Sequence, residues 1–260
     1  MRHSGLPGVR INDKIVLAFM DACRPHGPRA LDLLERMARL TDDRAPGGSP
    51  YEILPVCGVM GLAAVSERKP EFAMRVVPVW SDAADDSRFR VREAVPAALA
   101  LVAPNWGMST LLQEVSHWGE HYFQYTALLL TVSRKEIAPL VRDAAVQAEL
   151  VDHAFTMVRK APRSAERYPG YKALIETIPR AATALALAHG PAVVDVLLRW
   201  ASDKDVETRD LALASIQDKR FRARFADEVR ELEQKNKAAK PVPRDGKKRE
   251  LPTRKRSKGR

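Results

Sequence analysis

Apolar residues recur at helical spacing along most of this chain, in stretches separated by short breaks rich in proline and glycine. Such breaks lie at residues 25–28, 46–50, 104–105, 169–170 and 190–191. No stretch sustains the alternation of period two that marks a half-buried strand. Aromatic residues make up only 6% of the chain, which also disfavours a strand-rich sandwich. The sequence therefore predicts an all-α fold.

The stretches between the breaks have the length of ordinary helices in globular proteins. We predict helices near residues 13–24, 28–40, 51–66, 71–82, 88–103, 107–117, 120–134, 137–161, 170–188, 191–202, 205–217 and 219–234. Short helices with tight links build either a bundle or a solenoid, and internal similarity decides between the two.

The positive charge of the chain is confined to its C-terminal end. Residues 235–260 contain twelve Lys or Arg and two acidic residues, a balance that equals the formal net charge of +10 for the whole chain. The preceding part is therefore neutral and is not expected to form a basic nucleic-acid-binding domain. We divide the chain into a flexible lead-in at 1–10, a helical body at 11–234 and a disordered basic tail at 235–260.

The two cysteines, Cys23 and Cys57, both lie in apolar, helix-like surroundings. A disulfide framework is not expected, and a reducing, cytoplasmic location fits this cysteine usage. The apolar run at 15–20 is too short for a signal sequence or a membrane span, so no association with a membrane is expected.

Two stretches of the body are similar to one another. Asp86 precedes Arg92 by six residues, as Asp203 precedes Arg209, and an aliphatic residue follows each arginine after seven more. The two arginines are 117 residues apart, or three steps of 39. We expect each aspartate to cap the second helix of a pair and each arginine to reach a carboxylate or helix end of the neighbouring pair. These four residues would then form a structural ladder between repeats.

Residues 86–99 begin with the pattern Asp-x-x-x-x-Val-Arg and resemble the second helix of the HEAT repeat family, and residues 203–216 resemble it too. Mainly across 86–230, the sequence is also similar to a loosely defined class of bacterial HEAT-like proteins of unknown role. The resemblance implies a HEAT-like α-solenoid of stacked antiparallel helix pairs and implies no activity.

His117, Glu120 and His121 form the pattern H-x-x-E-H, in which two histidines on one helix could share a zinc ion and the glutamate could act as a base. Gly119 interrupts the helix that this arrangement needs, and no matching third ligand follows. We therefore expect a corner between helices with two partly exposed histidines, and no metal, cofactor or catalytic set.

One branch of the HEAT-like solenoids, the alkylpurine DNA glycosylases, holds duplex DNA in a basic concave groove with aromatic and acidic residues. A cluster in this chain raises that alternative, namely Trp80, Asp82, Asp85, Asp86, Arg88 and Arg92. Those enzymes usually place an aromatic residue before the paired arginines, where this chain has Val91, and their grooves carry many lysines. The other interpretation is that Trp80 packs between repeats and that the acidic residues cap a helix.

Basic residues are also concentrated at 219–224, where Arg220 and Arg224 share one helical face. That face could bind phosphates or an acidic partner. Alternatively it is a solvated face whose arginines pair with nearby acidic residues: Asp218, Asp227 and Glu228.

The tail offers two basic clusters, one of Lys247, Lys248 and Arg249 and one of Arg254, Lys255 and Arg256. It has no aromatic residue with which to stack on bases and no apolar helical face for a membrane surface. Sequence-independent affinity for RNA or DNA is the expected role, and a simple solubility tail is the alternative. The whole chain is predicted to be a non-enzymatic interaction scaffold that binds a protein partner on the concave face of the solenoid, with repair of alkylated DNA bases as the alternative.

Overall fold

In the computed structural model, residues 3–8 and 10–238 are described, and they form α-helices joined by short 3-10 segments. The helices are α1 (Asp13–Cys23), α2 (Leu31–Ala38), α3 (Ile53–Ser66), α4 (Ala73–Ala84), α5 (Phe89–Trp106), α6 (Met108–Glu114), α7 (Tyr122–Val132), α8 (Ala144–Lys160), α9 (Pro169–His189), α10 (Pro191–Ala201), α11 (Val206–Ile216), α12 (Lys219–Arg224) and α13 (Ala226–Ala238). No β-strand occurs within these ranges, so the all-α prediction is confirmed.

The helices lie in two rows with the hydrophobic core between them. The odd row consists of α1, α3, α5, α7, α9 and α11, and each of these helices packs on the next one. The even row consists of α2, α4, α6, α8 and α10, and each of these helices packs on one or both of its chain neighbours in the odd row. Contacts of Phe123 with both Arg92 and Tyr168 join the N-terminal ends of α5, α7 and α9, so these odd-row helices run in the same direction.

Local sequence signals explain where many helices begin and end. Side-chain oxygens of Asn12, Asp143 and Asp205 accept hydrogen bonds from the first amides of α1, α8 and α11, which would otherwise lack partners. At the other end, Gly107 and Gly190 adopt positive φ angles of 80° and 71°, where a side chain would be strained, and they stop α5 and α9.

The centre of the N-terminal half is α3, which is apolar on all sides and almost entirely buried. Its Gly58 allows α2 to approach very closely, because a Cβ atom there would lie 2.2 Å from the backbone nitrogen of Ala38. A helix that is apolar all round has to be covered on every side, and α1, α2, α4 and α5 all pack on α3.

Most predicted helix boundaries agree with the structure to within a few residues, and three expectations need correction. The helix predicted from residue 137 begins at Ala144, after a 3-10 turn at Ala138–Leu140. The last predicted helix is interrupted at Phe225, and its second part, α13, extends to Ala238, past the boundary expected at 234.

The N-terminal lead-in, expected to be flexible, contacts the body at some of its described residues, while the others are exposed. Ser4 and Leu6 are buried, and Arg90 of α5 donates a hydrogen bond of 3.0 Å to the carbonyl oxygen of Gly8. Among the described residues, no helix combines the length and the apolar character needed to cross a bilayer.

Candidate binding grooves on the odd row

Two open grooves lie side by side on the odd row. The N-terminal groove, of about 510 Å³, is formed by α1, α3 and α5 and has Leu17, Met60 and Ala97 among its lining residues. The central groove, of about 530 Å³, is formed mainly by α5, α7 and α9. Glu93 lines both grooves, so together they make one extended surface, which we call the odd-row face.

In the central groove α7 supplies the floor and α5 and α9 supply the walls. The floor residues are Phe123, Thr126, Ala127 and Leu130. The α5 wall consists of Phe89, Arg92, Glu93 and Pro96, and the α9 wall includes Lys172, Ala173, Glu176, Thr177 and Arg180. The groove therefore combines a largely apolar floor with walls of mixed charge.

Arg92 is held in a fixed position at the N-terminal end of this groove. Its Nη1 donates hydrogen bonds of 2.5 and 2.9 Å to the carbonyl oxygens of Asp86 and Ser87, and its guanidinium lies 4.5 Å from the ring centre of Phe123. It makes no ion pair with any residue that the structure describes. Burial lowers the pKa of this guanidinium, while nearby Asp86 and Asp85 act in the opposite direction.

Aromatic residues from α7 and the start of α9 gather beside Arg92. The ring of Tyr168 contacts Tyr122 and Phe123, and the Tyr168 hydroxyl donates a hydrogen bond of 2.8 Å to Asp85 Oδ1. Burial and this hydrogen bond raise the pKa of Tyr168 to about 12, so the phenol stays protonated at neutral pH. Gly170 makes room for the cluster, because a Cβ atom there would lie 2.7 Å from the Tyr168 ring.

Asp203, which was expected to cap the following helix, accepts a hydrogen bond from Arg159 of α8, a bridge that the sequence did not predict. The contacts predicted for the two arginines are wrong, because Arg92 binds the carbonyl oxygens of Asp86 and Ser87 in the link before α5. The ion-pair partner of Arg209 is its neighbour Asp210, at 3.7 Å. Neither Asp86 nor Asp203 caps the following helix. Each carboxylate accepts a hydrogen bond from the backbone amide two residues later, that of Arg88 or Asp205.

The residue that ties the first helix pairs together is Arg88, which the sequence pattern did not single out for this role. Its side chain is 3% exposed and pairs with Asp86 at 2.6 Å. It also donates to the carbonyl oxygens of Leu40 at 2.6 Å and Ala45 at 2.9 Å, in the segment that follows α2. Other bridges between pairs lie on the even row, where Arg75 of α4 binds Asp32 of α2 and Arg199 of α10 binds Asp152 of α8.

The 117 residues between Arg92 and Arg209 do span three steps of the odd row, from α5 to α11, but the steps are unequal. The odd-row helices begin at residues 13, 53, 89, 122, 169 and 206, so no constant period of 39 exists. The longest step runs from α7 to α9, which begin at residues 122 and 169.

The residues that suggested base repair do not form an open site. Trp80 is fully buried, stacks on Trp106 at a centroid distance of 5.8 Å, and donates to the carbonyl oxygen of Val59. It packs in the core and cannot reach a ligand on the surface. Asp82 pairs with Arg39 at 3.2 Å, and Asp85 is bound by Tyr168.

The H-x-x-E-H residues do not lie on one α-helix. His117 and Glu120 belong to a 3-10 segment, Ser116–Glu120, whereas His121 has an extended conformation and precedes α7. Both histidines are exposed. Within the described ranges, no group of three or more His, Cys, Asp or Glu side chains is arranged to hold a metal ion.

We expect purified protein to contain no stoichiometric zinc at His117 and His121, because this backbone geometry does not place the two rings on one helical face. Elemental analysis of protein prepared without chelators or a metal-binding tag is the measurement. One zinc per chain in the wild type, absent from a His121→Ala variant, would contradict this expectation.

The predicted basic face of α12 is engaged in local contacts. Arg220 pairs with Asp218 at 3.1 Å, and Arg224 donates to the carbonyl oxygen of Leu187. Arg222 pairs with Glu233 at 2.6 Å. A role of Arg220 and Arg224 in binding phosphates stays a prediction, and phosphate would have to compete with these partners.

The basic residues predicted for the tail, Lys247, Lys248, Arg249, Arg254, Lys255 and Arg256, lie outside the described residues. Comparisons with protein families, with curated proteins and with solved structures find no match to this chain.

Proposed function

We propose that this protein is a HEAT-like α-solenoid that acts as an interaction scaffold and binds a protein partner on the odd-row face. The stacking of successive odd-row helices with even-row helices behind them supports an arrangement of antiparallel pairs. The observation that carries the proposal is that Glu93 joins two grooves of about 510 and 530 Å³ on the odd row, which are larger than the two adjoining grooves at α6 and α8, of about 440 and 470 Å³. Each groove is open and lined by apolar as well as charged side chains, as expected of a surface that receives another chain.

The charge of the central groove favours a protein over a nucleic-acid backbone. Its cations are Arg92, Lys172 and Arg180, and its anions are Glu93 and Glu176. A phosphate backbone would be repelled by the two carboxylates, whereas a protein surface can match both signs. We assign no catalytic role to the groove.

We further propose that the basic tail supplies a second, sequence-independent affinity for RNA or DNA. The basis is composition, since residues 235–260 hold the entire excess of positive charge. The helical body would then bind a protein through the shape of its grooves, and the tail would bind RNA or DNA through its charge.

The test compares variants of the two rows. Leu17 is 56% exposed in the N-terminal groove, and Leu33 is 52% exposed on α2 of the even row. An odd-row variant, Leu17→Glu with Arg180→Glu, should weaken the binding of a protein partner at least tenfold, a loss of about 1.4 kcal/mol. The partner is first captured with the full-length chain after nuclease treatment, then purified, and its Kd is measured by calorimetry.

The matched control, Leu33→Glu with Lys160→Glu, changes an equally exposed leucine and a cation of the even row. It should leave the Kd within about twofold of the wild type. Equal binding by the odd-row variant would refute the assignment of this face. Release of alkylated bases from methylated duplex DNA by the wild type would support the repair alternative instead.

A further inference from the structure

The α9 wall of the central groove carries a row of alternating charges. Lys172, Glu176 and Arg180 are four residues apart on one side of the helix, and all three line the groove. All are exposed, and none of their side chains forms a hydrogen bond or an ion pair with another described residue. Their charges are therefore open to a ligand.

The α5 wall also carries a cation followed by a carboxylate, Arg92 and Glu93. Arg92 leans toward the N-terminal end of the groove because its Nη1 is anchored to the carbonyl oxygens of Asp86 and Ser87. Glu93 follows it and also lines the groove. Since α5 and α9 run in the same direction, both walls place a cation at the N-terminal end and a carboxylate further along.

The floor has the spacing of a single helical face. Phe123, Thr126, Ala127 and Leu130 of α7 follow one another at intervals of three, one and three residues and point into the same groove. The pattern suits an apolar stripe on an incoming segment, with charges on either side of it.

The walls are built of helices whose backbone groups are already hydrogen-bonded along their own axes. An extended peptide in this groove would leave its own amides and carbonyls without partners, whereas a helix satisfies them internally. Four residues of an α-helix rise about 6 Å, so charges four residues apart on a ligand helix stay in step with the charges of α9 along the full groove.

We propose that the central groove receives an amphipathic α-helix of the protein partner that presents acidic, basic and acidic side chains at four-residue spacing. The acidic residues lie against Lys172 and Arg180, the basic residue lies against Glu176, and an apolar stripe lies on Phe123, Ala127 and Leu130. The charge order is the same read in either direction, so it fixes the position of the helix along the groove and not its polarity. This inference rests on the scaffold function proposed above.

The test uses a displayed library of helical peptides, randomised on one face, selected against immobilised full-length protein. The expected result is enrichment of peptides with an acidic–basic–acidic row at four-residue spacing and apolar residues beside it. For a purified peptide of this kind, Glu176→Lys should weaken the Kd at least tenfold. Exchanging the peptide's basic residue for glutamate should then restore most of the affinity to the Glu176→Lys protein.

The control variants reverse exposed charges of the even row, Lys160→Glu on α8 and Asp195→Lys on α10, and should change the Kd less than about twofold. Enriched peptides without the charge row, or an unchanged Kd with Glu176→Lys, would overturn the proposal. If binding instead depends on Leu17, the scaffold function stands and this assignment of the central groove fails. If no helical peptide is enriched, the assignment of the central groove fails, and the scaffold function is decided separately by the binding of the captured partner to the odd-row variant.

Discussion

Replacing Arg88 with alanine should lower the free energy of unfolding by about 3–5 kcal/mol, the usual cost of removing one partner from a buried ion pair. All five N–H donors of its guanidinium have acceptors. These acceptors are both carboxylate oxygens of Asp86 and the carbonyl oxygens of Leu40, Thr41 and Ala45. Alanine would leave these groups without their donor, and the segment after α2 would lose its attachment to α5. For a protein of this size the melting temperature should fall by on the order of 10 °C.

The matched control is Arg44→Ala, in the same segment that Arg88 holds. The Arg44 side chain is 78% exposed and makes only a long contact of 3.9 Å to Asp43, so its loss should cost no more than about 0.5 kcal/mol. Arg88→Lys keeps the charge but not the planar set of donors and should fall between the two. Thermal and urea unfolding of the full-length variants measure these differences.

A comparison with Arg92→Ala separates the structural result from the ladder that the sequence predicted. Among the described residues, Arg92 donates only to the carbonyl oxygens of Asp86 and Ser87 in the link before α5, so its removal should cost less than that of Arg88. A larger loss of stability for Arg92→Ala than for Arg88→Ala would contradict the assignment of Arg88 as the residue that holds the segment after α2.

The reason that sequence reasoning chose the wrong arginine is physical. Arg88, Arg90 and Arg92 lie within five residues of each other, and a spacing rule cannot tell which of them faces the preceding helix pair. The choice depends on the extended conformation of Arg88, with φ −83° and ψ 119°, which turns its side chain toward residues 40–45. That conformation is a property of the packed chain.

Helix positions were predictable because apolar periodicity, and the Gly, Pro and Asp residues that begin or end helices, are local signals. Gly107 and Gly190 end helices through their own backbone angles, and Asp205 begins one through its own side chain. The break at Phe225 was missed because Phe221 and Phe225 have helical spacing, and their rings do lie 4.9 Å apart. The helix is nevertheless interrupted by the non-helical backbone angles of Phe225, φ −119° and ψ 45°.

The grooves could be predicted only in part. The charges at Lys172, Glu176 and Arg180 follow a four-residue spacing that is visible in the sequence. Their position opposite Arg92 and Glu93, across a floor made by α7, requires the order in which odd-row helices stack. The neutral total charge of the body does not reveal that the central groove carries side chains of both signs.

Removing residues 239–260 should abolish most of the affinity for nucleic acid while leaving helical content and melting temperature nearly unchanged. The cut follows the last residue of α13, Ala238, so no described helix is shortened. Ten of the basic residues of the chain lie beyond this point, against two acidic ones. The remaining body has almost no excess charge with which to attract phosphates.

The salt dependence gives this prediction its sharpest form. If about five basic residues of the tail contact single-stranded nucleic acid at once, log Kobs should fall against log salt with a slope of roughly −3 to −4. The same slope is expected for different sequences, because after Asn236 the chain has no aromatic or amide side chain that could recognise a base.

The experiment is a salt titration of labelled RNA and DNA against the full chain, the truncated chain and a variant of full length. In that variant the six residues Lys247, Lys248, Arg249, Arg254, Lys255 and Arg256 become glutamine, so length is kept and charge is removed. Both altered proteins should bind at least tenfold more weakly than the wild type at low salt, and with a shallower slope, because fewer counterions are released.

If both bind as tightly as the wild type with the same slope, the phosphates are held by the helical body. Arg220→Ala and Arg224→Ala would then show whether α12 supplies that contact, since binding there requires phosphate to displace Asp218 and the Leu187 carbonyl.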